Sequence, residues 1–182
     1  MQLSSKVVMP LGNQPVKDQG PASLPQAFVC EVTVSTASAI VSLSHDPYKI
    51  LIAANNKHPR PVIPGGKIDL ADLSASPATP GLACVLREVM EEIGTTLRNP
   101  RLIGRATDPE RDVRILPASV LTGALITPAL PGDISPRSLV KAHYGSPDYI
   151  FTGTVNERAL RATEELTHLR FVDIRSLGPL DL

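Results

Sequence analysis

The chemistry in this chain starts from one short run, Arg87-Glu88-Val89-Met90-Glu91-Glu92-Ile93-Gly94. At about 100° per residue, a helix places Leu82, Val85, Leu86, Val89 and Ile93 on one stripe and gathers Glu88, Glu91 and Glu92 on another side. Separations of three and four residues bring those carboxylates within a few side-chain widths, where like charges repel and cost stability unless a cation sits among them. Oxygen donors of this kind suit a hard divalent ion such as Mg2+ or Mn2+. The plain alternative for three glutamates alone is a solvated acidic helix face. The surroundings favour chemistry: Pro64-Gly65-Gly66 lies upstream, Arg87 directly precedes Glu88, and Gly94 closes the run.

Taken from Gly66 to Thr95, these residues read G-x5-D-x14-R-E-V-M-E-E-I-G-T. The pattern resembles the Nudix box, G-x5-E-x7-R-E-U-x-E-E-x-G-U. The helix half matches every fixed position, with Val89 in the apolar slot. The loop half departs twice, because Asp72 stands where the family has Glu and the spacer to Arg87 is longer. The extra residues fall in the Ser/Ala/Pro stretch before Thr79, where a surface loop can bulge outward without separating the glycines from the helix. The resemblance implies that Glu88, Glu91 and Glu92 are metal ligands together with the backbone carbonyl of Gly65, and that Arg87 orients the carboxylates by ion pairing. It implies metal-assisted hydrolysis of a nucleoside diphosphate linked to another moiety, Mg2+ or Mn2+ being the cofactor. In similar proteins the general base is a box glutamate or an acid on a later loop, and Glu164-Glu165 is suitably placed. Catalytic roles are thus expected for Arg87, Glu91, Glu92 and Glu165.

Positioning these groups requires a helix with firm ends. Thr79 is the expected N-cap, Pro80 suits the first helical position, and Gly94 supplies the stop. Before it, residues 27–44 form a β-prone run with an expected break near Ser38; a turn at His45-Asp46-Pro47 follows, and Tyr48 to Ala54 returns as a strand. Pro61-Val62-Ile63 is strand-like and leads into the glycines, and residues 74–78 are expected to be loop. After it, strands are expected at residues 102–104, 113–119, 120–126, 149–155 and 169–174, with a Pro/Gly-rich crossover over 127–147 and a short second helix over 158–166. Strands outnumber helices and do not alternate with them one to one, so the expected class is α+β. The resemblance specifies it further as a Nudix-like α/β/α sandwich with a mixed sheet. Residues 1–25 read as an N-terminal arm and 26–182 as one hydrolase domain.

Composition narrows the partners. The chain has 182 residues, enough for one core, with Lys+Arg 18 balanced by Asp+Glu 18. Without a dense basic run, polymeric nucleic acid and anionic membranes are disfavoured. An aromatic content of 3% with no Trp cannot build stacking platforms for successive bases. Cys30 and Cys84 lack metal or redox spacing, and Cys84 has no histidine nearby in sequence to activate it. No apolar segment long enough to span a bilayer is visible and the N-terminus lacks a signal-like apolar region, so a cytoplasmic protein is expected. The expected partner is a small-molecule nucleotide, with a homodimer left open.

Substrate contacts are expected from Gly65 and Gly66 and from the charged turn Asp108 to Arg114, chiefly Arg111 and Arg114. Tyr48, Tyr144 and Tyr149 are candidates for the single ring available to a base. The four histidines are scattered through loops without zinc spacing. Two rival readings exist: a non-catalytic nucleotide-sensing module on the same fold, and an isomerase-type reaction needing a cysteine motif that is not visible. The identity of the leaving group stays open among ADP-ribose, dinucleoside polyphosphates, nucleotide sugars and damaged nucleoside triphosphates.

Overall fold

The computed structural model describes residues 28–55, 58–108 and 112–176. The expected arm at residues 1–25 and the substrate candidate Arg111 lie outside the described residues.

The central element is β1 (Cys30–Leu43), which runs parallel to β8 (Leu139–Val155) from Cys30↔Val140 to Leu43↔Val155. The expected break near Ser38 does not occur. Ala37, Ala39 and Val41 are fully buried, and the Ser/Ala stretch is a run of small side chains that lets other elements pack close to a central strand. β2 (Asp46–Asn55) returns antiparallel and carries β3 (His58–Val62) and, later, β9 (Leu166–Asp173). β4 (Gly65–Lys67) pairs antiparallel with β1, Ser38 opposite Gly65 and Ala37 opposite Gly66. The glycine pair is therefore a short strand laid on the sheet rather than a free bend.

Two helices follow. α1 (Leu70–Ala75) has no sequence signal of its own and takes in the first two residues of the expected loop at 74–78; residues 76–78 are loop. It forms because Asp69 and Asp72 make a reciprocal capping box, each carboxylate taking the other's backbone N–H. Tertiary bonds also fix its start: Leu70 N–H donates to Gly123 O at 2.7 Å and Leu125 N–H to Ile68 O at 2.7 Å. α2 (Pro80–Ile93) has the expected ends, with Thr79 before Pro80 and Gly94 in the left-handed region at φ 68°. Gly suits that C-cap because a Cβ is penalised there. Val85, Val89 and Ile93 are buried against Ala37, Ala39 and Val41, with Leu82 and Leu86 packed at the margin.

β5 (Arg98–Ala106) and β6 (Val113–Pro117) pair antiparallel with different stretches of β8, and β7 (Ile126–Thr127) pairs with β1. Residues 118–121 form a 3-10 turn rather than the start of a strand. β8 begins at Leu139, so the Pro/Gly-rich crossover ends well before Pro147. The second helix expected over 158–166 shrinks to a 3-10 turn at Glu157–Ala159, after which Leu160 is extended. The architecture is α+β, a mixed sheet with few helices. Among the described residues no helix is long and apolar enough to cross a membrane.

One irregularity shapes the site. Between Val34↔Tyr144 and Thr36↔Asp148 the register slips, so residues 145–147 of β8 oppose Ser35 alone. Gly145 adopts φ 71° and the Ser146-Pro147 peptide is cis. Such a bulge re-aims side chains, here moving Asp148 into register with Thr36.

Candidate active site

Arg87 is the hub. Its Nε and Nη2 grip both oxygens of Asp72 at 3.1 and 2.8 Å, a bidentate pair. Nη2 also donates to the Lys67 carbonyl at 3.1 Å, while Nη1 donates to Glu88 at 2.6 Å and Glu91 at 3.1 Å. The lengthened spacer thus costs nothing at the centre: α1 folds part of the additional chain into a helix and returns Asp72 to Arg87. Burial works to raise the Asp72 pKa, but the bonds from Arg87 and the Asp69 N–H outweigh it and hold the carboxyl below its ordinary value. Arg87 is pushed up, first by the bond to Asp72 and then by Glu88.

Glu92 turns away from this hub. It is buried, 7% exposed, and its Oε2 accepts the Gly65 N–H at 2.8 Å, so the C-terminal turn of α2 is tied to β4. Burial, the dominant cause, lifts its pKa to about 7 against the pull of the Gly65 N–H, and Glu88, Glu165 and Glu91 add repulsion. Glu88 is likewise raised by burial, Arg87 partly offsetting this, with Glu91 and Glu165 adding to it. Glu91 has a side chain 56% exposed and stands at the rim.

The glycines make room for these acids. A Cβ on Gly66 would run into the Glu88 carboxylate, and one on Gly65 would meet Ala37 O at 2.5 Å and Ser38 Cα at 2.7 Å. Cys84 lies beneath: its Sγ donates to Lys67 O at 3.2 Å, and burial pushes its thiol well up, so it serves as packing and not as a nucleophile.

The sites named from sequence share one cavity of about 580 Å³, lined by Gly65, Gly66, Arg87, Glu88, Glu91, Glu92, Glu165 and Arg114. Glu165 arrives from the loop before β9, which Thr163 fastens to the end of α2 by donating from Oγ1 to Glu92 O at 3.0 Å. Arg114 is pinned by Asp112 at 2.8 and 2.6 Å and lies 4.6 Å over the Tyr144 ring. The same cavity takes in Tyr144 and five polar residues that the sequence does not single out for chemistry: Thr36, Ser38, Lys67, Asp69 and Asp148. Asp148 is only 3% exposed and accepts from Thr36 Oγ1 at 2.9 Å and Ser38 Oγ at 3.2 Å. No spacing in the sequence links residue 148 to residues 36 and 38; only the parallel pairing and its bulge do.

The acids fit a divalent cation by the chemistry of their donors. Glu88 raises the pKa of Glu92, and both feel Glu91 and Glu165, an accumulation of negative charge that a hard dication would relieve. As arranged, Arg87 holds Glu88 and Glu91 toward itself. Among the described residues no group of three or more His, Cys, Asp or Glu side chains converges on one metal position.

No family model and no curated protein matches the sequence. Solved structures do match. One is a MutT/nudix family protein from Enterococcus faecalis, with 17% identity and TM-score 0.48, covering 82% of this chain and 46% of that one. A second match is the NUDIX domain of Shewanella oneidensis NrtR complexed with ADP ribose, with 15% identity, TM-score 0.49 and coverage of 79% and 74%. A third is the MutT NUDIX hydrolase from Burkholderia pseudomallei, with 15% identity, TM-score 0.47 and coverage of 80% and 87%. The chain spans about half the length of the Enterococcus protein.

Proposed function

We propose that this chain is a Nudix-type pyrophosphohydrolase that cleaves a phosphoanhydride bond in a nucleoside diphosphate linked to another moiety. The observation that carries the reading is the Asp72–Arg87–Glu88/Glu91 lattice standing beside the Glu92–Gly65 tie in a single cavity. A surface acidic helix face has no need of a buried aspartate to hold its arginine, nor of a buried glutamate bonded to a neighbouring strand.

Glu88, Glu92 and Glu91, with the Gly65 carbonyl, would hold Mg2+ or Mn2+. When bound, such an ion neutralises phosphate charge and acidifies a water molecule. The chain's own residues do the rest. Asp72 fixes Arg87, and Arg87 fixes the rotamers of Glu88 and Glu91, which limits the reorganisation the acids need when substrate arrives. Glu165, carried on the loop clamped to α2, accepts the proton of the attacking water on its carboxylate. Arg114 and the Gly65-Gly66 backbone bind the substrate's anionic and planar parts.

The test is formation of nucleoside monophosphate, separated chromatographically, from nucleoside diphosphate derivatives with Mg2+, on wild type and Glu92→Gln. Turnover that disappears in the variant supports hydrolysis. Nucleotide binding with no turnover by the wild type, across a panel that includes ADP-ribose and nucleotide sugars, points instead to a nucleotide sensor.

A further inference from the structure

Away from the acids of α2, the sheet ends in a strand whose outer edge has no partner among the described residues. β6 (Val113–Pro117) pairs antiparallel with β8 and with no other described strand. The flanking bonds fix which of its backbone groups face outward: Tyr144 N–H donates to Asp112 O at 2.9 Å, and Ala118 N–H to Ser138 O at 2.9 Å. Hydrogen-bonded pairs alternate along an antiparallel ladder, so Asp112, Arg114, Leu116 and Ala118 turn their backbone groups to β8. The N–H groups of Val113 and Ile115 and the carbonyls of Val113, Ile115 and Pro117 therefore point away from it. Pro117, with no N–H to donate, occupies one of these outward positions, where a sheet edge tolerates proline.

The side chains along that edge are apolar. Ile115 is 49% exposed and Val113 37%, and the two-residue period of a strand puts both on the sheet face opposite to Arg114. Arg114, the one charged side chain of β6, is held by Asp112 and lies over the Tyr144 ring, so it does not guard the edge as a free lysine would. Neighbouring strands extend the patch. Lys141, opposite Ile115 on β8, pairs with Glu31 at 3.2 Å and lies 5.9 Å from the Phe28 ring, itself 42% exposed. Val29, two positions before Glu31 and so on the same face, is 62% exposed. Together these apolar side chains surround one ion pair and cover on the order of a few hundred Å², the upper end of what a monomer leaves in water.

We infer that β6 is a self-association edge, on which a second copy of this chain pairs its own β6 antiparallel across a two-fold axis through Ile115. The edge is complementary to itself. Centred there, the pairing sets Ile115 opposite the partner's Ile115 and Val113 opposite the partner's Pro117, so apolar side chains meet apolar ones. The two Ile115 residues exchange both N–H···O bonds, and each Val113 N–H meets a Pro117 carbonyl. Charge agrees as well: the patch holds one Lys141–Glu31 pair, so an isologous contact opposes no unbalanced like charges. A two-fold axis perpendicular to the sheet keeps both patches on one face, where they adjoin. A specific interface covers about 800 Å² per partner, and this patch is its apolar centre. β6, which brings Arg114 to the cavity wall, thereby becomes an inner strand of a sheet continuous between the two copies. The inference stands apart from the reaction proposed for that cavity.

The experiment is sedimentation equilibrium of the full chain. Wild type should show twice the chain mass of 19.4 kDa, and Ile115→Lys, which sets two like charges at the axis, should show the single mass. Leu102→Lys, at an exposed apolar position of the other strand beside β8, β5, should remain dimeric. Ile115→Cys reads the register. Hydrogen-bonded antiparallel partners lie about 5.5 Å apart at Cα, within disulfide reach, so mild oxidation should give a covalent dimer on a non-reducing gel. The wild type, whose cysteines are Cys30 and Cys84, is the control for that gel. If circular dichroism shows that Ile115→Lys does not fold, the cross-linking result decides. A wild type that keeps the single mass up to about 0.1 mM, above the micromolar range of specific interfaces, overturns the inference. So does a folded Ile115→Lys that stays dimeric, so does dissociation by Leu102→Lys in its place, and so does an Ile115→Cys chain that forms no more covalent dimer than the wild type.

Discussion

Glu92 sets a conflict between stability and function that can be measured. In the folded chain its carboxyl is pushed up to about 7 from an ordinary 4.5, chiefly by burial and then by Glu88, Glu165 and Glu91. Below pH 4.5 it is protonated in both the folded and unfolded states and imposes no penalty. Above about pH 7 it is ionised in both, and the folded state carries the full cost of a buried charge among other carboxylates. Stability therefore falls as pH rises between 4.5 and about 7, because the folded state binds the extra proton. At about 1.4 kcal/mol per pH unit, the interval amounts to about 3 kcal/mol. Glu92→Gln removes the charge and keeps an oxygen for the Gly65 N–H now bonded at 2.8 Å. The variant should equal the wild type near the acid end and exceed it by up to about 3 kcal/mol at about pH 8 in the presence of a chelator. Urea denaturation at several pH values gives the difference directly, and an unchanged slope with denaturant would show that only stability moved. Adding Mg2+ should stabilise the wild type and not the variant. A variant-minus-wild-type difference that stays flat with pH, or a variant less stable at about pH 8, would refute the reasoning. A more stable but inactive Glu92→Gln is the expected signature of a site retained for function.

The remaining expectations concern the scaffold around that acid. Asp72→Ala removes the buried partner of Arg87 and should cost about 2–4 kcal/mol in chemical denaturation, near the range for breaking a buried ion pair and reduced by the partial exposure of Arg87. Asp72→Glu should restore much of this, because the same bidentate pairing is available from a longer arm. Gly65→Ala should be the worse of the two glycine changes for folding, since its Cβ would strike the backbone of β1 at Ala37 and Ser38; thermal melting reads this. Gly66→Ala meets only the movable Glu88 side chain, so the fold should survive while turnover and Mg2+-dependent stabilisation fall. Arg114→Ala, which also strips the guanidinium from the Tyr144 ring, should raise KM more than it lowers kcat in steady-state assays.

Much of the site was legible because α2 carries its instructions locally. Pro80 and Gly94 mark its ends, its apolar stripe matches the observed burial of Val85, Val89 and Ile93, and its acids keep the order of a familiar pattern. Where the reading failed, long-range pairing overrode local signals. Ser38 looked like a break because Ser and Ala are weak strand formers, yet the strand continues through it between β4 and β8. Residues 74–78 are loop from 76 onward, but α1 (Leu70–Ala75), which no apolar period announces in so short a stretch, takes in the first two of them through the Asp69/Asp72 box and the bond from Leu70 to Gly123. Residues 158–166 lack an apolar stripe long enough to sustain a helix, and the chain turns once and then runs extended into β9.

By itself the sequence determined which groups exist on one helix and how they are ordered along it: an arginine, three carboxylates at helical spacing, and a glycine pair upstream. Helical periodicity converts such spacing into a shared face without help from the rest of the chain. Only the tertiary structure decided that Asp72 completes the grip on Arg87 across a lengthened connection, that Glu92 is buried against β4, and that Asp148 faces the same cavity from a strand far away in sequence. The reason is that sheet register and bulges are set by pairing between distant segments, and a slip of one residue reverses which side chains reach a cavity.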